Sequence, residues 1–284
     1  MTITEDIATA EGVLARAGIE TALHDAEWIA ARALNRGRGD LLAHGDEELS
    51  PASYEHFHDM VERRAAREPL GYVLGSVSFR GLELEVGAGC LVPRPETEIT
   101  AERAIAHARK RSQRPTVVDV GAGCGAIAIA IAAEVPNARI FATERSAAAR
   151  GWALRNLART GLRCTLLPGS LMEPLHPALG GGVDVLVSNP PYVPEHEWGT
   201  LEPEIQRYEP KEAIIGGPTG FEIIHELVEH ARTWLAVGGW LVVECSSEQT
   251  EKLSNLLLYL GYADVSVTKD LAGRPRVVEA RWVG

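Results

Sequence analysis

Val117-Val118-Asp119-Val120 runs directly into Gly121-Ala122-Gly123-Cys124-Gly125, and an alanine- and isoleucine-rich stretch, Ala126 to Ala133, follows at once. The order is strand, glycine loop, helix. The glycines permit a tight turn and close approach of the backbone to a ligand at the helix N-terminus. Glycine spacing alone does not name the ligand, because dinucleotide-binding folds place G-x-G-x-x-G at the same point. Here the spacing is G-x-G-x-G, with the acid Asp119 two residues before the first glycine.

Further strands follow in the alternating pattern of an α/β chain. Thr116 to Val120 reads as the first, Arg139 to Thr143 as the second, Cys164 to Pro168 as the third and Val183 to Val187 as the fourth. Trp240 to Glu244, after a turn at Gly238-Gly239, reads as the fifth, and Val265 to Thr268 and Arg276 to Arg281 as two more, separated by Gly273. The expected fold is a doubly wound, seven-stranded, mostly parallel sheet, Rossmann-like, with its last strand antiparallel. In the order 3-2-1-4-5 the first and fourth strands are neighbours at the switch point, where ligands sit outside the strand carboxyl ends. Glu144 ends the second strand about twenty residues past the loop, where an acid can take both ribose hydroxyls; it reads equally well as a solvated loop acid.

After the fourth strand comes Asn189-Pro190-Pro191-Tyr192. Each residue that precedes a proline is biased to extended conformations, and the prolines carry no N–H. The Asn189 side-chain carbonyl and the Pro190 backbone carbonyl can then both accept from one planar –NH2, with the Tyr192 ring as a flat wall. The plainer alternative is an Asn-Pro turn. If the glycine loop and Asn189 face each other, a cofactor on one and an amino group on the other describe N-methyl transfer.

Over nearly its whole length the chain resembles the bacterial release-factor glutamine methyltransferases, class I S-adenosylmethionine-dependent enzymes that methylate the side-chain amide of a Gly-Gly-Gln loop. The residues that carry the resemblance are Arg67-Glu68-Pro69-Leu70, Phe79-Arg80-Gly81-Leu82, Val92-Pro93-Arg94-Pro95-Glu96-Thr97-Glu98, the glycine loop, Asn189 to Tyr192, Glu209-Pro210 and Gly216-Gly217. The resemblance implies S-adenosylmethionine as cofactor, bound by Asp119, Gly121, Ala122, Gly123, Cys124, Gly125, Glu144, Ser170, Leu171 and Asn189. It implies Leu91, Asn189, Pro190, Pro191 and Tyr192 around the target glutamine, with Asn189, Pro190 and Tyr192 as the catalytic set and no metal. A release factor is the implied partner.

The chain departs from the family pattern at three places. Glu144 stands where Asp is usual, Gly169-Ser170-Leu171 where an acid usually lies near the adenine, and Glu244-Cys245-Ser246 where Glu, a variable residue and Gly are usual. These departures leave open an N-methyltransferase acting on a different peptide or small molecule. The same pocket also accepts a nucleic-acid base amino group, and a non-catalytic cofactor-binding scaffold is a further alternative.

Among the 284 residues, 39 Asp and Glu against 28 Lys and Arg give a net charge of −11, which argues against a surface built to grip nucleic-acid phosphates. No stretch approaches eighteen apolar residues and Met1 to Asp6 lacks a signal core, so the expectation is a cytoplasmic protein without a membrane segment. Cys90, Cys124, Cys164 and Cys245 lack C-x-x-C spacing and read as buried thiols. The pairs His56/His58 and His225/His230 lack metal-site spacing, so surface or capping roles are expected of the histidines.

Apolar residues at roughly helical spacing before residue 70, from Ile7, Val13-Leu14 and Leu23 through Trp28-Ile29 to Leu41-Leu42, predict a small helical bundle. Ser50-Pro51 is an N-cap with proline at N1, opening a helix to about Glu68 whose face Tyr54, Phe57, Val61 is expected in the core. Val77 to Val86 alternates around Arg80-Gly81 as a β-hairpin. Thr97 is expected to cap a helix over Glu98 to Arg111, after a Pro93-Arg94-Pro95 loop that can roof the substrate mouth. The domains expected are 1–70, helical and substrate-recognising; 71–95, a β-hairpin linker; and 96–284, the methyltransferase.

Overall fold

The computed structural model describes residues 1–111 and 113–284, with the side chain of Leu42 outside the description. The residues gather into two compact units, Met1–Val77 with Glu202–Tyr208, and Ser78–Leu201 with Glu209–Gly284.

The first unit is helical: α1 (Ile3–Arg16), α2 (Ala22–Leu34), α3 (Arg38–Ala43), α4 (Pro51–Ala65) and α5 (Leu70–Leu74). A capping box opens α1, where Glu5 N–H donates to Thr2 Oγ1 and Thr2 N–H donates back to Glu5 Oε2 at 2.9 Å. Leu14, Ile29 and Met60 meet in the core. Ser50 caps α4 as its pairing with Pro51 predicts, its oxygen accepting from Ser53 N–H at 3.2 Å. The helix ends at Ala65, short of Glu68, because Arg67 turns left-handed (φ +71) and Pro69 pushes the residue before it out of the helical region. Phe57 and Val61 are buried as expected, but Tyr54 is exposed and tilts against His58.

The hairpin β1 (Ser76–Phe79) and β2 (Leu82–Glu85) turns at Arg80-Gly81. Then come α6 (Thr97–Arg111), β3 (Thr116–Val120), α7 (Ala126–Glu134), β4 (Arg139–Glu144), α8 (Ala147–Thr160), β5 (Thr165–Pro168), β6 (Val183–Ser188), β7 (Val193–Pro194), α9 (Pro203–Tyr208), β8 (Ile215–Gly217), α10 (Glu222–Trp234), β9 (Leu235–Glu244), α11 (Thr250–Tyr259), β10 (Tyr262–Lys269) and β11 (Pro275–Trp282). Seven of the strands form one sheet in the order β10-β11-β9-β6-β3-β4-β5. β9, β6, β3, β4 and β5 pair in parallel, and β11 runs antiparallel to both its neighbours.

Every residue of β3 is buried, which is why its sequence reads as an almost unbroken apolar run: helices cover both faces of a parallel sheet. Its register sets the site. Val120 lies opposite Thr143 on one side and Ser188 on the other, so the glycine loop and Asn189 leave the sheet side by side. Ser188 in turn pairs with Val243, which brings Glu244 level with Asn189. The fifth strand is longer than expected. Gly238 (φ +77) and Gly239 make an irregularity within β9, matched by a register shift between Val183 and Val185, rather than a turn before it. Among the described residues no helix is long and apolar enough to cross a membrane.

The first unit takes α9 from far along the chain. Arg64 Nε donates to Asp25 Oδ2 at 2.7 Å and its Nη2 to Glu204 Oε1 at 2.9 Å, while Arg67 Nε donates to Glu204 Oε2 at 2.9 Å. Asp25 and Arg64 are both buried, and a buried charge needs such partners. Tyr208 Oη closes the attachment by donating to the Ala66 carbonyl at 3.1 Å.

Candidate active site

A cavity of about 460 Å³ lies outside the C-terminal ends of β3, β4 and β6, lined at its base by Val120, Glu144 and Ser188. That volume is in the range of small-molecule sites. Gly121, Ala122, Gly123 and Cys124 form one wall. Gly121 and Gly123 hold φ of +74 and +58, and an added Cβ would meet no protein atom within 4 Å at Gly121 and only Cys90 Sγ, at 4.0 Å, at Gly123. The loop is therefore kept bare by its backbone conformation and by open space, a cradle that a side chain would fill. Gly125, left-handed at φ +87, lies outside the wall and starts α7, where a Cβ would press on Ile129 Cδ1 at 3.0 Å.

Glu144 faces the loop from the end of β4. Its Oε2 accepts from Gly123 N–H at 2.9 Å and its Oε1 from Ser146 N–H at 2.7 Å. A carboxylate offers about four lone-pair sites, so two remain for hydroxyl donors in the cavity. Asp119 lies beneath the loop, not in the wall. It is buried, accepts from Ala128 N–H at 3.0 Å, and is pushed up to about 7 by that burial. Ser170 and Leu171 line the cavity beyond Glu144, and Leu171 holds a φ of +45 that favours glycine.

Asn189, Pro190 and Pro191 form the opposite wall, with Leu91, Pro93 and Thr97. Asn189 Nδ2 donates to Thr97 Oγ1 at 3.0 Å, which leaves Oδ1 as the free acceptor. Thr97 Oγ1 donates to Glu244 Oε1 at 3.3 Å. Thr97 is thus the first residue of α6 and not its cap; its hydroxyl serves a buried acid instead. The Pro93-Arg94-Pro95 loop is anchored by the buried Glu209, which accepts from Val92 N–H at 3.3 Å and pairs with Arg94. Tyr192 does not line the cavity: its ring packs against the apolar core of its own unit, and burial pushes its phenol up to about 12.

The structure thus brings together the expected loop residues, Glu144, Ser170, Leu171, Leu91 and the Asn-Pro-Pro row, and leaves Asp119, Gly125 and Tyr192 outside the wall. Sequence reasoning missed Thr97, whose signal was its place in the Pro-Arg-Pro-Glu-Thr-Glu run, and the acidic residues Glu195, Glu212, Glu222 and Glu226 on the cavity wall. Cys90, Cys124 and Cys245 are buried and Cys164 is half-buried. Contrary to a surface role for every histidine, His107 is buried, stacked on Trp240 at 3.8 Å and bonded to Glu279 at 3.2 Å.

A glycine loop ending the central strand, an acid ending the next and an Asn-Pro-Pro row ending a third, around one cavity on this sheet order, define a doubly wound methyltransferase. Residues 100–202 match the methyltransferase small domain. A methyltransferase from Pyrococcus furiosus has the same fold, with a TM-score of 0.53 and 20% identity over 73% of this chain and 92% of its own. A 16S rRNA methyltransferase of T. thermophilus, solved with AdoMet and guanosine, also shares it, with a TM-score of 0.53 and 19% identity over 73% of this chain and 49% of its own.

Residues 6–75 match the PrmC N-terminal domain. Release factor glutamine methyltransferases from Geobacter sulfurreducens and Deinococcus radiodurans are 38% and 36% identical, covering 99% and 100% of this chain and 96% and 100% of theirs. The chain belongs to the release factor glutamine methyltransferase family.

Proposed function

We propose that the chain transfers a methyl group from S-adenosylmethionine to the side-chain amide nitrogen of the glutamine in the Gly-Gly-Gln loop of a peptide chain release factor. The observation that carries this reading is the free Asn189 Oδ1, held across one cavity from the bare glycine loop.

In this reading Gly121, Ala122, Gly123 and Cys124 receive the aminocarboxylate end of the cofactor, Glu144 the ribose hydroxyls, and Ser170 with Leu171 the adenine. Asp119 and Gly125 support the loop from below. Bound there, S-adenosylmethionine supplies an electrophilic methyl group on a positively charged sulfur. Asn189 Oδ1 and the Pro190 carbonyl hold the acceptor –NH2 and stabilise the positive charge that develops on its nitrogen, the sign-reversed counterpart of an oxyanion hole. Pro191 and Leu91 flank the glutamine side chain. Orientation supplies the rest of the rate, and no general base is assigned, because the proton can leave to water after transfer. Residues 1–70 are assigned to release-factor recognition, 71–95 to the linker and 96–284 to catalysis, in the cytoplasm.

The test is incubation with labelled S-adenosylmethionine and purified release factors, followed by peptide mass analysis. One methyl on the glutamine of Gly-Gly-Gln is expected. A Gln→Asn acceptor should react poorly, since losing one methylene withdraws the nitrogen by more than the reaction tolerates. Label on another molecule, or equal rates for Gln and Asn, would point to a different substrate.

A further inference from the structure

Glu244 takes no part in the chemistry assigned above, yet its side chain, 1% exposed, is committed at both oxygens. Thr97 Oγ1 donates to Oε1 at 3.3 Å and Thr100 Oγ1 to Oε2 at 2.8 Å, both from the first turn of α6. The Thr97 oxygen also accepts from Asn189 Nδ2 at 3.0 Å. A hydroxyl has one hydrogen, and an ionised carboxylate can only accept. With Glu244 ionised, the Thr97 hydrogen goes to the acid, only lone pairs face Asn189, and the amide must turn its –NH2 toward Thr97. Oδ1 is then left for the cavity. A protonated Glu244 can donate to Thr97 Oγ1 instead, which frees the hydroxyl hydrogen for Asn189 Oδ1 and swings the –NH2 into the cavity, donor against donor.

We propose, on the amide-holding role assigned to Asn189, that Glu244 is a positioning residue for methyl transfer, acting through Thr97 to keep the Asn189 carbonyl oxygen toward the acceptor amide. It touches neither cofactor nor substrate. Burial pushes Glu244 up to about 7, against the pull of Thr100, Thr97 and Arg276, so the relay changes state near neutral pH. Arg276 at the start of β11 favours the ionised form and Glu96, at the entry to α6, opposes it. The Tyr192 phenol and Cys245 thiol also face this carboxylate, and both are pushed up to about 12, first by burial and then by its charge, so neither titrates near pH 7.

In the full-length protein, kcat for glutamine methylation should rise with pH through about 7 while KM for S-adenosylmethionine stays level. Glu244→Gln should lower kcat about ten- to a hundred-fold, leave the cofactor KM within about twofold and flatten the pH step. Thr97→Val should do the same, and Thr97→Ser, which keeps the hydroxyl, should restore most of the rate. A second readout needs no substrate: the side-chain amide resonances of Asn189, assigned by their loss in Asn189→Ala, should shift with a midpoint near pH 7 in the wild type and stay fixed in Thr97→Val. Wild-type kcat and an unaltered pH step in Glu244→Gln, or Asn189 resonances that ignore pH in the wild type, overturn the proposal. If the wild type methylates no glutamine, the substrate reading fails by itself and the Asn189 resonances decide whether the relay exists.

Discussion

Asp119 and Glu244 stand on either side of β6, near the C-terminal ends of β3 and β9, and burial pushes both up to about 7. What they hold differs. Asp119 accepts a backbone N–H, that of Ala128 in the first turn of α7, whereas Glu244 accepts from two side-chain hydroxyls. A backbone donor has one direction once the helix is formed. A hydroxyl turns about its C–O bond, so the group beyond it can be set one way or the other. The glycine-loop side of the cavity is therefore fixed when the chain folds, and the Asn189 side keeps a proton-dependent setting.

The largest effects should come from paired variants that strike one side each. Gly123→Val should abolish S-adenosylmethionine binding in calorimetry, because φ +58 excludes a β-branched residue and the side chain would enter the cavity. Asn189→Ala should lower kcat on the order of a hundred- to a thousand-fold with a smaller loss of cofactor affinity. Wild-type affinity in the first, or near wild-type turnover in the second, would erase the division between the two sides.

The next effect is on stability. A carboxyl whose native pKa is raised contributes stability that is complete below its ordinary value, about pH 4, and lost as pH rises through the native value, here about 7. Asp119→Asn keeps an acceptor for Ala128 N–H and removes that dependence, worth roughly 2–4 kcal/mol across the interval. Thermal melts from about pH 4 to 8 should thus decline less steeply for Asp119→Asn than for the wild type. An unchanged slope would mean that Asp119 is ionised throughout and that the likeness to Glu244 is false.

Tyr192→Phe should do least. With the ring packed on the core and outside the cavity wall, kcat should stay within about two- to three-fold of wild type. A hundred-fold loss would place the phenol against the substrate and give the Asn189 side a third member.

The parts of the site legible in the sequence are those written in local backbone chemistry. Glycines that need positive φ, a proline pair that stiffens its neighbours and a buried strand that reads as unbroken apolar residues all carry their signal within a few positions. From them followed the strand order and the placing of the glycine loop beside Asn189. The Thr97–Glu244 contact joins residues 147 apart in sequence, and no local pattern marks it; Thr97 fits a helix cap equally well. Gly238-Gly239 was misread for a similar reason, since a glycine pair serves a turn or a strand irregularity and only the register with β6 decides. Tyr54 and His107 also differ from expectation because tertiary neighbours, not spacing, settle which side of a helix is covered. The attachment of α9 to the first unit has no local signature, because it rests on Glu204 meeting Arg64 of α4 and Arg67 just beyond that helix, 140 and 137 residues away in sequence.

That attachment has a consequence for how the protein is made. Glu204 leaves the ribosome 140 residues after Arg64, on the order of ten seconds later at ordinary rates of synthesis. For that interval the nascent first unit has Asp25 but lacks the carboxylate that joins Arg64 to Arg67, while the strands β3, β4, β5 and β6 are already emerging. The N-terminal unit is thus the first to begin, yet it is completed only at Tyr208, after the strands β3, β4, β5 and β6 of the other unit have been made.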